Sequence, residues 1–148
     1  MPISDHISNT MLSGMSSSKR KGDRYERELA AYFNESCGLS SSRTPLSGGG
    51  RLDATPTADL LGTPLLHIEA KRVERLNFHE ALAQAERNRD RSGADEMAVV
   101  VNRRSRQTTG ESLCLLRLDD LLTLYRYCLQ AEGFVKGVDP DEGDSTTS

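Results

Sequence analysis

The sequence contains no apolar run that approaches the roughly 20 residues needed by a membrane-spanning helix. Its first 21 residues also lack the apolar stretch of about 7–15 residues that is typical of a secretory signal peptide. These two absences argue against the membrane and secreted classes, so we expect no membrane partner and a cytoplasmic location. A length of 148 residues fits one domain that can bury a hydrophobic core without disulfide or metal support.

Cysteine is scarce and widely spaced. The three cysteines are Cys37, Cys114 and Cys128, and none belongs to a CxxC or CxxH pattern. This spacing argues against a zinc finger, a thiol redox pair and a disulfide framework. It agrees with a reducing compartment.

The chain also lacks the overall positive charge expected of a nucleic-acid binder, because its net charge is −3. However, all 19 lysines and arginines lie within residues 19–136, where they face only 17 acidic residues. The acidic segment 138–148 predicts a disordered tail, and the Ser- and Met-rich residues 1–18 predict a flexible leader. The folded domain is therefore expected at 19–137, and its mildly basic character keeps DNA open as a partner.

Hydrophobic periodicity and turn residues predict eight elements in the order α-β-β-β-α-β-β-α. This order is typical of the α/β class, with a small mixed sheet and helices on both faces. Gly38 is the expected stop of the first helix, Asn77 the expected cap of the second, and Asp119 the expected cap of the last. The predicted elements are a helix at about 21–36, strands at 39–44, 59–61 and 65–73, a helix at 78–91, strands at 97–102 and 112–118, and a helix from 119 to Gly133.

One pattern of charged residues predicts chemistry. Glu69 and Lys71 alternate on one strand and so share a face, while Asp59 begins the preceding strand, beyond a turn at 62–64. Two carboxylates and an ammonium would then converge, which suits Mg²⁺ and the hydrolysis of a phosphodiester. The alternative is a cross-strand ion pair on a solvated face.

Two further features allow two interpretations each. Glu26 lies at the edge of the apolar face of the first helix, where it either leans toward the interior or pairs at the surface with Arg24 or Arg27. The loop 43–51 contains three consecutive glycines between two arginines. It either brings backbone close to a phosphate or is a flexible surface loop. It does not have the form of a Walker loop.

Three segments carry a resemblance to a known family: KGDRYERELAAYF at 21–33, RTPLSGGG at 43–50 and ADLLGTPLLHIEAK at 58–71. Their order and spacing resemble the Holliday-junction-resolvase group of PD-(D/E)xK nucleases, in particular archaeal and phage-type members, over about residues 19–122. The resemblance implies a restriction-endonuclease-like mixed sheet flanked by helices. It also implies a homodimer that cuts branched DNA symmetrically with Mg²⁺, for which Mn²⁺ can substitute, in a bacterial or phage-infected cell.

The resemblance also implies roles for individual residues. Asp59 and Glu69 match the metal ligands, with Glu26 and the Ala70 carbonyl as further candidate ligands, and Lys71 matches the catalytic lysine. Many members have proline where this chain has Ala58, a position that carries no chemistry. Candidate DNA contacts, some from the family pattern and others from local charge or glycine content, are Arg27, Arg43, Ser47, Gly48, Arg51, Arg72, Gln84, Arg103 and Arg104.

The cluster of Arg103, Arg104 and Arg106 predicts a loop that contacts phosphates, because packing does not readily explain three arginines on one loop. His67 shares the strand face of Glu69 and Lys71, and we expect it to be a structural histidine. Two alternatives stay open for the function. The chain is either a nuclease of the same fold that acts on flaps, single strands or duplex DNA, or a catalytically inactive DNA-binding module.

Overall fold

The structure is a computed structural model that describes residues 16–45 and 57–137. The element order confirms the predicted α-β-β-β-α-β-β-α sequence, with a single 3₁₀ turn added before the last strand. The helices are α1 (Ser17–Cys37), α2 (Phe78–Ser92) and α3 (Leu118–Ala131). The strands are β1 (Ser42–Arg43), β2 (Leu60–Leu61), β3 (Leu66–Lys71), β4 (Met97–Asn102) and β5 (Leu113–Leu115), and the 3₁₀ turn is Thr109–Glu111.

The strands form a mixed arrangement with β4 at the centre of a three-stranded sheet. Strand β3 runs parallel to β4, and β5 runs antiparallel to it. Strands β1 and β2 form a separate antiparallel pair. The Asp59 N–H, just before β2, donates to the Ile68 carbonyl of β3 at 2.9 Å, which joins the pair to the larger sheet.

One face of the sheet is covered by α2. The Asn77 side chain accepts a hydrogen bond from the Glu80 N–H, which confirms the predicted start of this helix. Two of its three buried residues, Ala81 and Ala85, are small, which lets the helix approach the strands closely. The hydrophobic cluster between α2 and the sheet consists of Ala81, Leu82, Ala85, Ala98 and Val100.

The register of β3 determines which of its side chains face α2. His67 pairs with Ala98, and Glu69 pairs with Val100. Paired residues on neighbouring strands point to the same side of a sheet. His67, Glu69 and Lys71 therefore face α2, as the alternation in the sequence predicts.

The other face is covered by α1, where Tyr25, Leu29 and Ala30 are buried. The Tyr25 hydroxyl donates to Ser112 Oγ at 2.8 Å, which ties the helix to the segment before β5. Gly38 ends α1 in the left-handed conformation, with φ of 66°, as predicted. The prediction of helices on both faces is thus confirmed for α1 and α2.

Several predicted boundaries differ from the structure. Helix α1 begins at Ser17 because the Ser16 side chain accepts from the Lys19 N–H, so it starts inside the predicted leader. The predicted strand at 65–73 shortens to β3, since Leu65 has φ of 71°. Asp119 is not the cap of α3. The cap position is Arg117, and Asp119 lies in the first turn.

The chain divides into two compact units, one ending at Leu115 and the other beginning at Leu116. The first contains α1, α2 and all five strands, and the second contains α3. The predicted leader up to residue 15 and the predicted tail at 138–148 lie outside the described residues. No helix within 16–45 and 57–137 is long and apolar enough to cross a membrane.

Candidate active site

The backbone before β2 places Asp59 against β3. The Asp59 carbonyl accepts from the Thr44 N–H at 2.9 Å, and its N–H donates to the Ile68 carbonyl, also at 2.9 Å. The Asp59 side chain accepts from the Ala70 N–H, with 2.8 Å between Oδ2 and the nitrogen. These three bonds fix Asp59 beside the strand that carries Glu69.

The Asp59 carboxyl group lies among other carboxyl groups. Burial, followed by the negative charge of Glu69, raises the pKa of Asp59 from 3.8 to about 7, although the Ala70 N–H works in the opposite direction. The charge of Glu26 and a hydrogen bond to Glu69 raise it further. Asp59 therefore lies in a buried position where the negative charges of Glu69 and Glu26 disfavour its ionisation.

Glu69 has donors of its own. Burial favours a higher pKa, but hydrogen bonds from His67 and Asn88 and the charge of Lys71 outweigh it and lower the pKa of Glu69. Asn88 Nδ2 donates to Glu69 Oε1 at 3.0 Å, and His67 Nε2 lies 3.4 Å from the same oxygen. The surroundings thus lower the pKa of Glu69 and raise that of Asp59.

Lys71 completes the group on the same strand face. Its Nζ donates to Gln84 Oε1 of α2 at 3.2 Å. The structure therefore places Gln84, which the sequence predicts as a DNA contact, next to Lys71. Both side chains retain access to solvent, which a group that acts on a bound DNA strand requires.

Glu26 faces the interior rather than its neighbours on α1. It accepts from Arg43 Nε at 2.6 Å, and Arg43 Nη2 lies 2.7 Å from Asp23 Oδ1. Burial alone would lower the pKa of the Arg43 guanidinium, but Glu26 and Asp23 outweigh it and raise that pKa. Arg24 instead pairs with Glu28 at 2.9 Å, so the surface pairing of Glu26 with Arg24 is not formed.

Arg43 therefore contacts two carboxylates in the structure, whereas the family resemblance implies a contact with a DNA phosphate. Asp23 was not predicted as part of this network. The available signal was its spacing of three residues from Glu26, which places both acids on one face of α1.

The donor set fits a hard divalent cation. Carboxylate oxygens of Asp59 and Glu69 are ligands that Mg²⁺ and Mn²⁺ accept, and the raised pKa of Asp59 marks charge that a cation would neutralise. Within the described ranges, no cluster of three or more His, Cys, Asp or Glu residues could hold a metal by itself. Such an ion would therefore need water, substrate or backbone oxygens as well. The contact made by Ala70 is through its N–H, to Asp59.

Arg103 packs against α1 and the 3₁₀ turn. Its Nη1 lies 2.9 Å from Glu28 Oε2 and donates to Thr109 Oγ1 at 3.0 Å. Its guanidinium carbon lies 5.0 Å from the centre of the Tyr25 ring, which gives a cation–π contact. Packing does explain this arginine, so the premise that packing cannot account for the cluster does not hold for Arg103, and its contact with DNA stays a prediction.

The other predicted DNA contacts are dispersed. Arg72 Nη1 donates to the Arg103 carbonyl at 3.2 Å. Arg104 is exposed and lies 3.4 Å from Glu74, and Arg27 is exposed on α1 beside Glu26. Arg106, at the tip of the same loop, is also exposed. Ser47, Gly48 and Arg51 lie outside the described residues.

The model of the family described as "Phage putative PDDEXK endonuclease" matches residues 17–116, about two thirds of the chain. Among solved structures, the fold is similar to Hjc from Archaeoglobus fulgidus, a Holliday junction resolvase. That likeness has 20% identity and a TM-score of 0.43, over 65% of this chain and 72% of Hjc. No curated protein matches the sequence.

Proposed function

The chain belongs to the phage PDDEXK endonuclease family, and we propose that it hydrolyses phosphodiester bonds within DNA with the help of Mg²⁺ or Mn²⁺. The observation that carries the proposal is the proximity of two carboxyl groups, that of Asp59, just before β2, and that of Glu69 in β3, with the Asp59 side chain bonded to the neighbouring Ala70 N–H. Lys71 lies on the strand face of Glu69, and its ammonium is held by Gln84. A solvated cross-strand ion pair would not account for the burial of Glu69 or for the raised pKa of Asp59.

In the proposed reaction, Asp59 and Glu69 hold the cation. When bound, the ion lowers the pKa of a water molecule and neutralises charge on the phosphoryl oxygens. The Lys71 ammonium donates a hydrogen bond to the attacking water and so directs its oxygen toward the phosphorus. Gln84 keeps the flexible lysine side chain on the side of the sheet where the carboxylates lie.

Glu26 supplies a third carboxylate in this scheme. Its charge reaches Asp59, while its direct partner is Arg43. We assign Glu26 to the outer boundary of the site, where it adds negative charge and, with Asp23, holds Arg43 in place. In this account Arg43 reaches a DNA phosphate only after it leaves at least one of these carboxylates.

The proposed substrate is branched DNA, and four-way junctions are the first to test. The sequence motifs shared with the Holliday-junction-resolvase group support this choice. Exposed arginines near the site, such as Arg27 and Arg104, would contact the DNA backbone, which allows the shape of the DNA to be read without contacts to the bases. We also propose a homodimer, because a twofold-symmetric assembly presents two sites to opposed strands.

The proposal is tested by incubating the protein with a labelled four-way junction and a linear duplex of matched sequence, in Mg²⁺ and in EDTA. We expect paired cuts in the junction that are lost in EDTA and in Asp59→Asn. The exposed His79 provides a matched control, since His79→Ala should cut normally. Equal cutting of both DNAs would reject branched DNA as the substrate class. DNA binding without cutting, in Mg²⁺ and in Mn²⁺, would reject the enzyme.

A further inference from the structure

Strand β3 and helix α2 face each other with matched spacing. Glu69 contacts Asn88, and Lys71, two residues along the strand, contacts Gln84, four residues back along the helix. Two residues of a strand span about 6.6 Å, and four residues of a helix rise about 6 Å. Because these two lengths agree, side chains on one face of α2 contact Glu69 and Lys71 at the same time.

The contacts to Glu69 are concentrated on one oxygen. Asn88 Nδ2 donates to Oε1 at 3.0 Å, and His67 Nε2 approaches the same atom at 3.4 Å. Neither group uses Oε2. Because Asn88 and His67 contact the same oxygen, they hold the Glu69 carboxylate in one orientation.

The surroundings leave Glu69 little freedom. Glu69 is 6% exposed, His67 is 2% exposed and Ala85, one turn of α2 from Asn88 toward its start, is fully buried. A carboxylate enclosed in this way cannot exchange its partners freely with water. Asn88 is also neutral, so it orients Glu69 without cancelling the negative charge that attracts a cation, which an arginine or lysine at this position would do.

We propose that Asn88, assisted by His67, is a positioning residue that holds the Glu69 carboxylate in the orientation required for metal binding; this rests on the proposed function. Partners that orient a metal ligand typically change metal affinity by about 10- to 100-fold when they are lost. Gln84 serves Lys71 instead, so the two amides of α2 have separate tasks. Asn88 sets metal affinity, and Gln84 sets the position of the ammonium.

The test compares Asn88→Ala and the similarly sized Asn88→Leu with wild type, with Gln84→Leu and with the exposed control His79→Ala. The first measurement is Mn²⁺ binding by isothermal titration calorimetry without DNA. Both Asn88 variants should bind about 10-fold more weakly or worse, and Gln84→Leu and His79→Ala should bind like wild type. The second measurement is the Mg²⁺ dependence of junction cleavage. The Asn88 variants should raise the half-saturating Mg²⁺ concentration, while Gln84→Leu should lower kcat.

A merely structural role for Asn88 would lower stability equally with and without metal. Urea unfolding in EDTA and in Mg²⁺ separates the two roles, because the proposal predicts a smaller gain from Mg²⁺ in the Asn88 variants than in wild type. Asn88 variants that bind Mn²⁺ as tightly as wild type would overturn the inference alone. Failure of the wild-type protein to bind Mn²⁺ would overturn the proposed function as well. If both Asn88 variants fail to fold, His67→Leu against His67→Gln repeats the comparison, with the loss of affinity expected only for leucine.

Discussion

The replacement Asp59→Asn should stabilise the metal-free protein at alkaline pH, although it removes a proposed metal ligand. Burial and the neighbouring charge of Glu69 raise the pKa of Asp59 from 3.8 to about 7, so ionisation of this group opposes folding. Asparagine resembles the protonated carboxyl group and can still accept from the Ala70 N–H. The variant therefore retains the hydrogen bond and avoids the charge.

The magnitude follows from the change in pKa. A difference between 3.8 and about 7 corresponds to at most about 4 kcal/mol, since each pKa unit is worth about 1.36 kcal/mol. Asp59 is partly accessible to solvent, which weakens the repulsion, so we expect about 2–4 kcal/mol at pH 8. Below about pH 3 the group is protonated in both folded and unfolded protein, since its unfolded pKa is 3.8, and the two proteins should be equally stable. As the pH rises toward 7, the unfolded chain ionises first, and wild type loses stability.

The assay is urea unfolding in EDTA at pH 4, 6 and 8. Asp95→Asn, at an exposed position between α2 and β4, serves as the control and should change stability by less than about 0.5 kcal/mol at every pH. Mg²⁺ at pH 8 should stabilise wild type and leave Asp59→Asn unchanged. The reasoning is refuted if Asp59→Asn is less stable than wild type at pH 8, or if the difference does not grow with pH.

Four other substitutions test separate parts of the account. Lys71→Ala should lower kcat for junction cleavage by about 10²–10⁴-fold at saturating Mg²⁺, and near-normal cleavage would contradict its role. Gly62→Ala should cost about 1–3 kcal/mol in urea unfolding, since Gly62 has φ of 77° and a Cβ there would lie 2.8 Å from the Ser40 carbonyl oxygen; unchanged stability would contradict this. Arg103→Ala should lower the free energy of unfolding by about 1–3 kcal/mol, because it removes the ion pair to Glu28, the hydrogen bond to Thr109 and the cation–π contact with the buried Tyr25 ring. Arg104→Ala should instead weaken DNA binding in fluorescence anisotropy titrations, and the slope of log K against log salt concentration should become smaller by about one. Weaker DNA binding by Arg103→Ala, with unchanged binding by Arg104→Ala, would contradict this distinction.

Local signals in the sequence account for most of the element order. Gly38 and Asn77 end and begin helices through short-range chemistry, a left-handed residue and a side-chain cap, and both predictions are confirmed. The apolar run at 97–102 is β4, with the predicted bounds. The prediction that Asp119 caps α3 is wrong because an aspartate is also favourable in the first turn of a helix, where Asp119 lies.

The parts of the site that the sequence did not reveal depend on contacts between distant segments. Alternation predicts that Glu69 and Lys71 share a face, but no local pattern identifies Asn88 as a partner of Glu69, 19 residues away. Likewise, Arg103 was interpreted as a DNA contact because its partners on α1, Glu28 and Tyr25, are remote in the chain. Burial of a charged residue by a tertiary contact leaves no periodic signal.

The most direct test of the central claim compares wild type with Glu69→Gln in the cleavage of a labelled four-way junction. Glutamine preserves the size of the side chain and removes the charge proposed to hold the cation. The account predicts Mg²⁺-dependent cleavage by wild type, and loss of cleavage by Glu69→Gln with DNA binding retained. Cleavage by Glu69→Gln at the wild-type rate and with the wild-type Mg²⁺ dependence would contradict it.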